Sequence, residues 1–196
     1  MEQITNILYW LSTGLMIPVT LFLIFFFCRA IIMIGGFYGA YISRTKINVK
    51  INREIDNNGY LKFMETLESY DSEKSTLVNS IKRIANNSSN LPMIDKIIGD
   101  YEVLADKELG SSKLLVKIGP MLGLMGTLIP MGPALVGLAT GDISSMASNM
   151  QVAFATTVIG IIIGAIGFIT LQVKQRWVAD DMNILDYIAE SIKSSK

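Results

Sequence analysis

IGPMLGLMGTLIPMGPALVGLAT (residues 118–140) and MQVAFATTVIGIIIGAIGFITLQV (residues 150–173) are two long apolar stretches joined by a short polar link, Gly141 to Asn149. Each is at least as long as the roughly 20 apolar residues that an α-helix needs to cross a bilayer core. The link can only turn the chain back, so the pair reads as a membrane hairpin.

On a wheel of about 100° per residue, Gly119, Pro120, Gly123, Gly126, Thr127, Pro130, Ala134 and Gly137 share one face of the first stretch. Met121, Leu122, Met125, Leu128 and Leu135 lie opposite. In the second stretch Ala153, Thr156, Thr157, Gly160, Gly164 and Gly167 gather on one side, with Phe154, Ile159, Ile162, Ile163 and Ile166 turned away. Lipid gives apolar side chains no reason to hide, so small residues on one face mark close approach to another helix. The hydroxyls in the middle of the two stretches, Thr127, Thr156 and Thr157, share those faces. A threonine can satisfy itself on a carbonyl one turn back, so each taken singly reads as structural.

Taken together these residues resemble a known family. Gly123-Leu124-Met125-Gly126-Thr127 resembles the G-L-x-G-T signature of the second membrane helix of TolQ and ExbB. Ala153-Phe154-Ala155-Thr156-Thr157-Val158-Ile159-Gly160 is similar to the A-x-x-x-T-x-x-G pattern of their third helix. The resemblance is to the MotA/TolQ/ExbB superfamily of ion-channel stator subunits, with a layout nearest TolQ and ExbB.

Charge and composition bound the alternatives. The chain has 196 residues, 51% of them hydrophobic, and a formal net charge of zero, which excludes the basic balance of a nucleic-acid binder. It has no histidine, and its single cysteine, Cys28, offers neither a disulfide nor metal-ligand spacing. No metal, cofactor or catalytic pair is expected, and the chain does not read as an enzyme. Met1-Glu2-Gln3 lacks the basic start of a removable signal peptide.

Ile7 to Cys28 forms a third apolar span, dense with Leu21, Phe22, Phe25, Phe26 and Phe27, which suit a helix facing lipid. Pro18 should bend it, and Tyr9 with Trp10 fit an interfacial belt. Arg29 follows; placing it at the membrane boundary costs less than burying a guanidinium in mid-bilayer. Arg29, Arg44, Lys46, Lys50 and Arg53 follow this span, Lys113 and Lys117 precede the second, and Lys174 with Arg176 follow the third. The link Gly141 to Asn149 has no Lys or Arg, so the expected orientation in the cytoplasmic (inner) membrane is N-terminus outside, C-terminus cytoplasmic.

The expected fold is therefore an all-α membrane protein with three transmembrane helices and helical cytoplasmic extensions. Residues 1–42 carry the first span (about 7–28) and its cytoplasmic continuation, and 43–113 form a cytoplasmic helical region. Residues 114–173 form the hairpin, and 174–196 a cytoplasmic amphipathic helix. In the second region Asp56-Asn57-Asn58-Gly59 reads as a turn, Leu61, Met64, Leu67 and Leu77, Ile81, Ile84 recur at helical spacing, and Asn86 to Asn90 is a polar break before Pro92. In the tail, Trp177, Ile184, Leu185, Ile188 and Ile192 share a side, with Asp180, Asp181, Asp186 and Glu190 placed on the solvated remainder.

No Asp, Glu or His lies inside any of the three spans. A proton channel needs a titrating group or a held file of water, and these spans supply only hydroxyls. The resemblance implies where the carboxylate comes from. In relatives a homopentamer of the three-span subunit, a ring in contact with membrane lipid, surrounds the single spans of an ExbD, TolR or MotB-like partner dimer, whose membrane aspartate carries protons or sodium ions. Carried over, this puts Thr127 and Thr157 on the ion path with Thr156 beside them, and Gly119, Gly123, Gly126, Pro130, Ala134, Ala153, Gly160 and Gly164 packing around the pore. The subunit would then couple ion flow to mechanical work. The chain departs from ExbB-like patterns at Gln151 and Val152, where those proteins have a glutamate, and at Ile166, where they have a proline. A rival reading makes the protein a non-conducting scaffold whose glycine faces serve packing alone.

Overall fold

A computed structural model describes residues 2–66 and 75–194, and among them there are four helices and no strand. Helix α1 spans Glu2–Thr66, α2 Thr76–Asn86, α3 Leu91–Thr140 and α4 Ile143–Ser194. Three of them, α1, α3 and α4, contain stretches long and apolar enough to cross a membrane. Pro18 lies inside α1, and Pro120, Pro130 and Pro133 lie inside α3.

Two expectations about turns are corrected. The backbone of Asp56 to Gly59 is part of α1 rather than a turn. A single helical glycine costs only about 1 kcal/mol, and no proline is present to remove a hydrogen bond, so the helix runs through. The link from Gly141 to Asn149 contracts to two residues, because α4 already begins at Ile143. Gly141 adopts φ +77°, Asp142 N–H donates to the Gly137 carbonyl at 2.8 Å and Gly141 N–H to Leu138 at 3.2 Å. That is the hydrogen-bond pattern of a glycine-terminated helix. Asp142 then caps α4, its Oδ1 accepting from Ser145 N–H at 3.0 Å.

The chain divides into two compact units. One comprises Met1–Gly36 and Ser111–Leu171, the other Phe37–Gly110 and Gln172–Lys196. In the first, Leu23 and Ala30 of α1 are buried with Leu115 and Ile163 of the hairpin, and Phe26, Phe27, Leu122, Ile159 and Ile166 pack around them. Leu21, Phe22 and Phe25 are exposed, whereas Phe26 and Phe27, expected to face lipid with them, pack inward. Tyr9's side chain lies outside the described residues; Trp10 is 75% exposed.

The second unit has its own core. Leu77, Val78, Ile81 and Ile84 of α2 pack with Ile94, Ile97 and Tyr101 of α3 and with Ile184, Leu185, Ile188 and Ile192 of α4. Leu77, Ile81, Ile84, Ile184, Leu185, Ile188 and Ile192 are positions that helical spacing marked as apolar; Leu67 and the side chains of Leu61 and Met64 lie outside the described residues. Asn90 Oδ1 accepts from Met93 N–H at 3.3 Å, so the polar break caps α3, with Pro92 in its first turn.

Asp181 corrects the reading of the tail. Expected on the solvated side with Asp180, it is completely buried. Its Oδ2 lies 2.7 Å from Arg44 Nη1 and accepts a hydrogen bond from the Tyr101 hydroxyl. Beside the pair, Trp177 stacks on Phe37 with centroids 5.5 Å apart, and the Arg44 guanidinium lies 5.7 Å from the Trp177 ring centre. Burial works against the Arg44 charge, but the Asp181 carboxylate outweighs it and raises the pKa. Burial, and then the neighbouring carboxylate, push the Tyr101 hydroxyl well above its ordinary range.

Candidate functional site

Within the membrane unit the two small faces meet each other. A Cβ built on Gly160 would stand 2.6 Å from the Gly119 carbonyl oxygen and 2.7 Å from Gly123 Cα. One on Gly119 would lie 2.7 Å from Gly164 N, one on Gly126 2.6 Å from Thr156 Cβ, and one on Gly164 2.9 Å from Pro120 Cγ. Pro130, Ala134 and Ala153 are buried along the same seam. The five glycines among the eight small positions singled out in the sequence therefore lie in the contact between α3 and α4 of one chain, where the helices approach too closely for larger side chains.

The three threonines separate. Thr156 is 5% exposed and fills the space over Gly126, its hydroxyl bonded to the Val152 and Ala153 carbonyls at 3.1 and 2.9 Å. It is three and seven residues from Ile159 and Ile163, and so shares the flank of the hairpin that packs on α1. Thr157 is rotated about 100° from Thr156, and Thr127 likewise from Gly126. Both are half-buried at the other edge of the seam, the flank turned away from α1. Pro120 and Gly164, in contact with each other, lie on that same edge. Thr127 donates to the Leu124 carbonyl at 2.7 Å and Thr157 to Ala153 at 3.1 Å, which leaves each hydroxyl oxygen able to accept.

A polar layer marks the end of this unit nearest Arg29. Arg29 Nη2 lies 3.2 Å from Ser111 Oγ, and Ser112, fully buried, takes a hydrogen bond from Thr170 at 3.3 Å and donates towards Met33 Sδ at 3.7 Å. Between that layer and the Gly141 turn, α3 and α4 present only threonines and backbone as polar groups from Ile118 to Thr140 and from Val152 to Ile169. Among the described residues no group of three or more His, Cys, Asp or Glu stands together as a metal site would require.

Comparison with known proteins bears on this arrangement directly. The model of the MotA/TolQ/ExbB proton channel family matches residues 76–186, more than half of the chain and all of the hairpin. The chain belongs to this family. The MotA/TolQ/ExbB match takes in both threonine edges, and α1 precedes it. A relative from Methanothermobacter thermautotrophicus, named as a biopolymer transport protein ExbB homologue, is 23% identical over 128 residues. The alignment covers 64% of this chain and 46% of that relative, so the chain spans less than half of the relative's length. No solved structure matches the chain. The family is one of channels and transport, and with three membrane-length helices the chain is a multi-pass membrane protein.

Proposed function

We propose that this protein is the pore-forming subunit of an ion-driven motor complex of the cytoplasmic membrane, with its N-terminus outside and its C-terminus in the cytoplasm. Several copies, five by analogy with the family, surround the single membrane spans of a partner dimer. The flank of the hairpin carrying Thr127 and Thr157 faces that partner. One observation carries the reading: the two threonines share an edge turned away from α1, while Thr156 faces α1 and packs. The spans contribute no titratable carboxylate or imidazole, so the proton acceptor belongs to the partner, as a membrane aspartate. The threonine oxygens can accept from that carboxyl when it is protonated, and their hydroxyls can donate to it when it is ionised. Protons are the ion carried, in keeping with the proton channel family to which the chain belongs. The rival is a non-conducting scaffold, and the close contacts of Gly119, Gly123, Gly126, Gly160 and Gly164 between α3 and α4 favour it for those glycines alone. Reconstitution with a single-span, aspartate-bearing partner in dye-loaded vesicles separates the two. Potential-driven proton entry that vanishes in the Thr127→Val, Thr157→Val double variant supports the channel. Unchanged entry in that variant, or none in the wild type, overturns it.

A further inference from the structure

The unit formed by Phe37–Gly110 and Gln172–Lys196 holds a cavity of about 150 Å³ between α1, α3 and α4. Ala40, Ala105, Leu109 and Val178 make its apolar wall. Its charged groups are Arg44, Lys174 and Glu108, with Tyr101 and Trp177 beside them. Ala40 and Glu108 are exposed, so the cavity opens to the outside. Arg44 is joined to Asp181 through Nη1, and a guanidinium has further N–H donors beyond that contact. Lys174 and Glu108 are held in no ion pair among the described residues.

Two apolar runs set the depth. That of α1 continues past Arg29 to Ile42, and that of α4 ends at Val173. Arg44 and Lys174 are the first cations beyond those ends. A Lys or Arg just past an apolar run reaches to the level of the lipid headgroups, where an interfacial Trp such as Trp177 also sits.

We propose that this cavity takes the headgroup of an amine-bearing zwitterionic phospholipid, phosphatidylethanolamine, with its phosphate against Lys174 and the remaining donors of Arg44 and its ammonium against Glu108. Charge selects the headgroup. Arg44 and Lys174 are balanced by Glu108 and Asp181, so this is not the basic pocket that an anionic headgroup requires, and a headgroup without a cation would leave Glu108 facing a phosphate. A choline headgroup carries the positive charge but has no N–H to donate to Glu108, and its methyl groups need more room. An ammonium supplies several N–H donors from a compact centre, and both of its charge-assisted contacts are then made at once. The site needs neither the ion path nor a partner.

The test is native mass spectrometry of the full chain, stripped of lipid and then mixed with dioleoyl phosphatidylethanolamine, phosphatidylcholine or phosphatidylglycerol at equal concentration. The ethanolamine lipid should be retained about fivefold over either of the others, as expected for one partly exposed charge pair. Lys174→Gln should lower retention of all three, because each has a phosphate. Glu108→Gln should abolish the preference over phosphatidylcholine. Glu108→Lys should turn the preference to phosphatidylglycerol, a gain that misfolding cannot produce, whereas Glu102→Lys, at an exposed position outside the cavity, should not. Equal retention of the three lipids by the wild type, or a preference for phosphatidylglycerol, would overturn the proposal. So would an undiminished preference in Glu108→Gln, or the same turn in Glu102→Lys. Retention is read without partner or flux, so this result and that of the vesicle experiment stand or fall separately.

Discussion

Gly160 and Gly123 bring the two hairpin helices into backbone contact: a side chain on the first would begin 2.7 Å from the Cα of the second. With Gly119 and Gly164 one turn away, the contact is a run of backbone against backbone, in which dispersion and close Cα–H to carbonyl approach replace side-chain packing.

Gly160→Leu should therefore prevent the hairpin from closing, at a cost above the roughly 1–3 kcal/mol of ordinary overpacking, because the atoms in the way are backbone. Loss of a monodisperse peak in detergent chromatography would report it. Gly35→Ala is the control. Nothing lies within 4 Å of a Cβ there, so the exchange should be neutral or raise thermal stability by up to about 1 kcal/mol.

Gly141 makes a second backbone demand. At φ +77° an L side chain costs about 1–2 kcal/mol, so Gly141→Ala should lower the detergent melting temperature, Gly141→Val should lower it further, and Gly141→Asn should cost least.

The buried Arg44–Asp181 pair predicts a different response. Removing Arg44 leaves a carboxylate with no access to water, and Arg44→Met should destabilise the unit that holds it by about 3–5 kcal/mol. Tyr101 adds a pH limb. Its pKa is raised in the folded state above the ordinary 10.0, so the unfolded chain loses that proton first. Stability is then full below about pH 10 and falls as pH rises beyond it towards the folded value. In alkaline unfolding followed by circular dichroism, Tyr101→Phe should flatten that fall while lowering stability at neutral pH by about 1 kcal/mol.

How far the sequence foretold this follows from the kind of signal each residue leaves. Ile81, Ile84, Ile188 and Ile192 could be placed because burial of an apolar residue repeats with the helical period. The glycine and threonine faces were legible for the same reason, although a wheel cannot say which of two edges a later helix will cover. That decided Thr156, whose place depends on Leu23 and Ala30 of α1 covering Ile163. Asp181 was illegible, because a buried charge is marked only by its partners, and Arg44 and Tyr101 stand 137 and 80 residues away. Asp56 to Gly59 misled because turn-forming residues state a local preference that a continuing helix can absorb.

The threonines give the most discriminating experiment, because three similar residues occupy two different surroundings. If Thr127 and Thr157 border the ion path, each forfeits on conversion to valine a hydrogen bond to a charged or charging group, about 1.5–3 kcal/mol, so either single variant should slow partner-dependent proton flux by about tenfold to a hundredfold. Assembly should be unaffected, because both side chains are only half-buried and valine is nearly isosteric. Thr156→Val should behave in the opposite way. Its hydroxyl already bonds two carbonyls of its own helix over Gly126, so its loss should shift stability by about 1 kcal/mol and leave flux within a factor of two. Flux measured with a pH-sensitive dye, alongside chromatography of the same samples, distinguishes the outcomes. Equal loss in all three variants would mean that what matters is helix packing and not the edge turned away from α1.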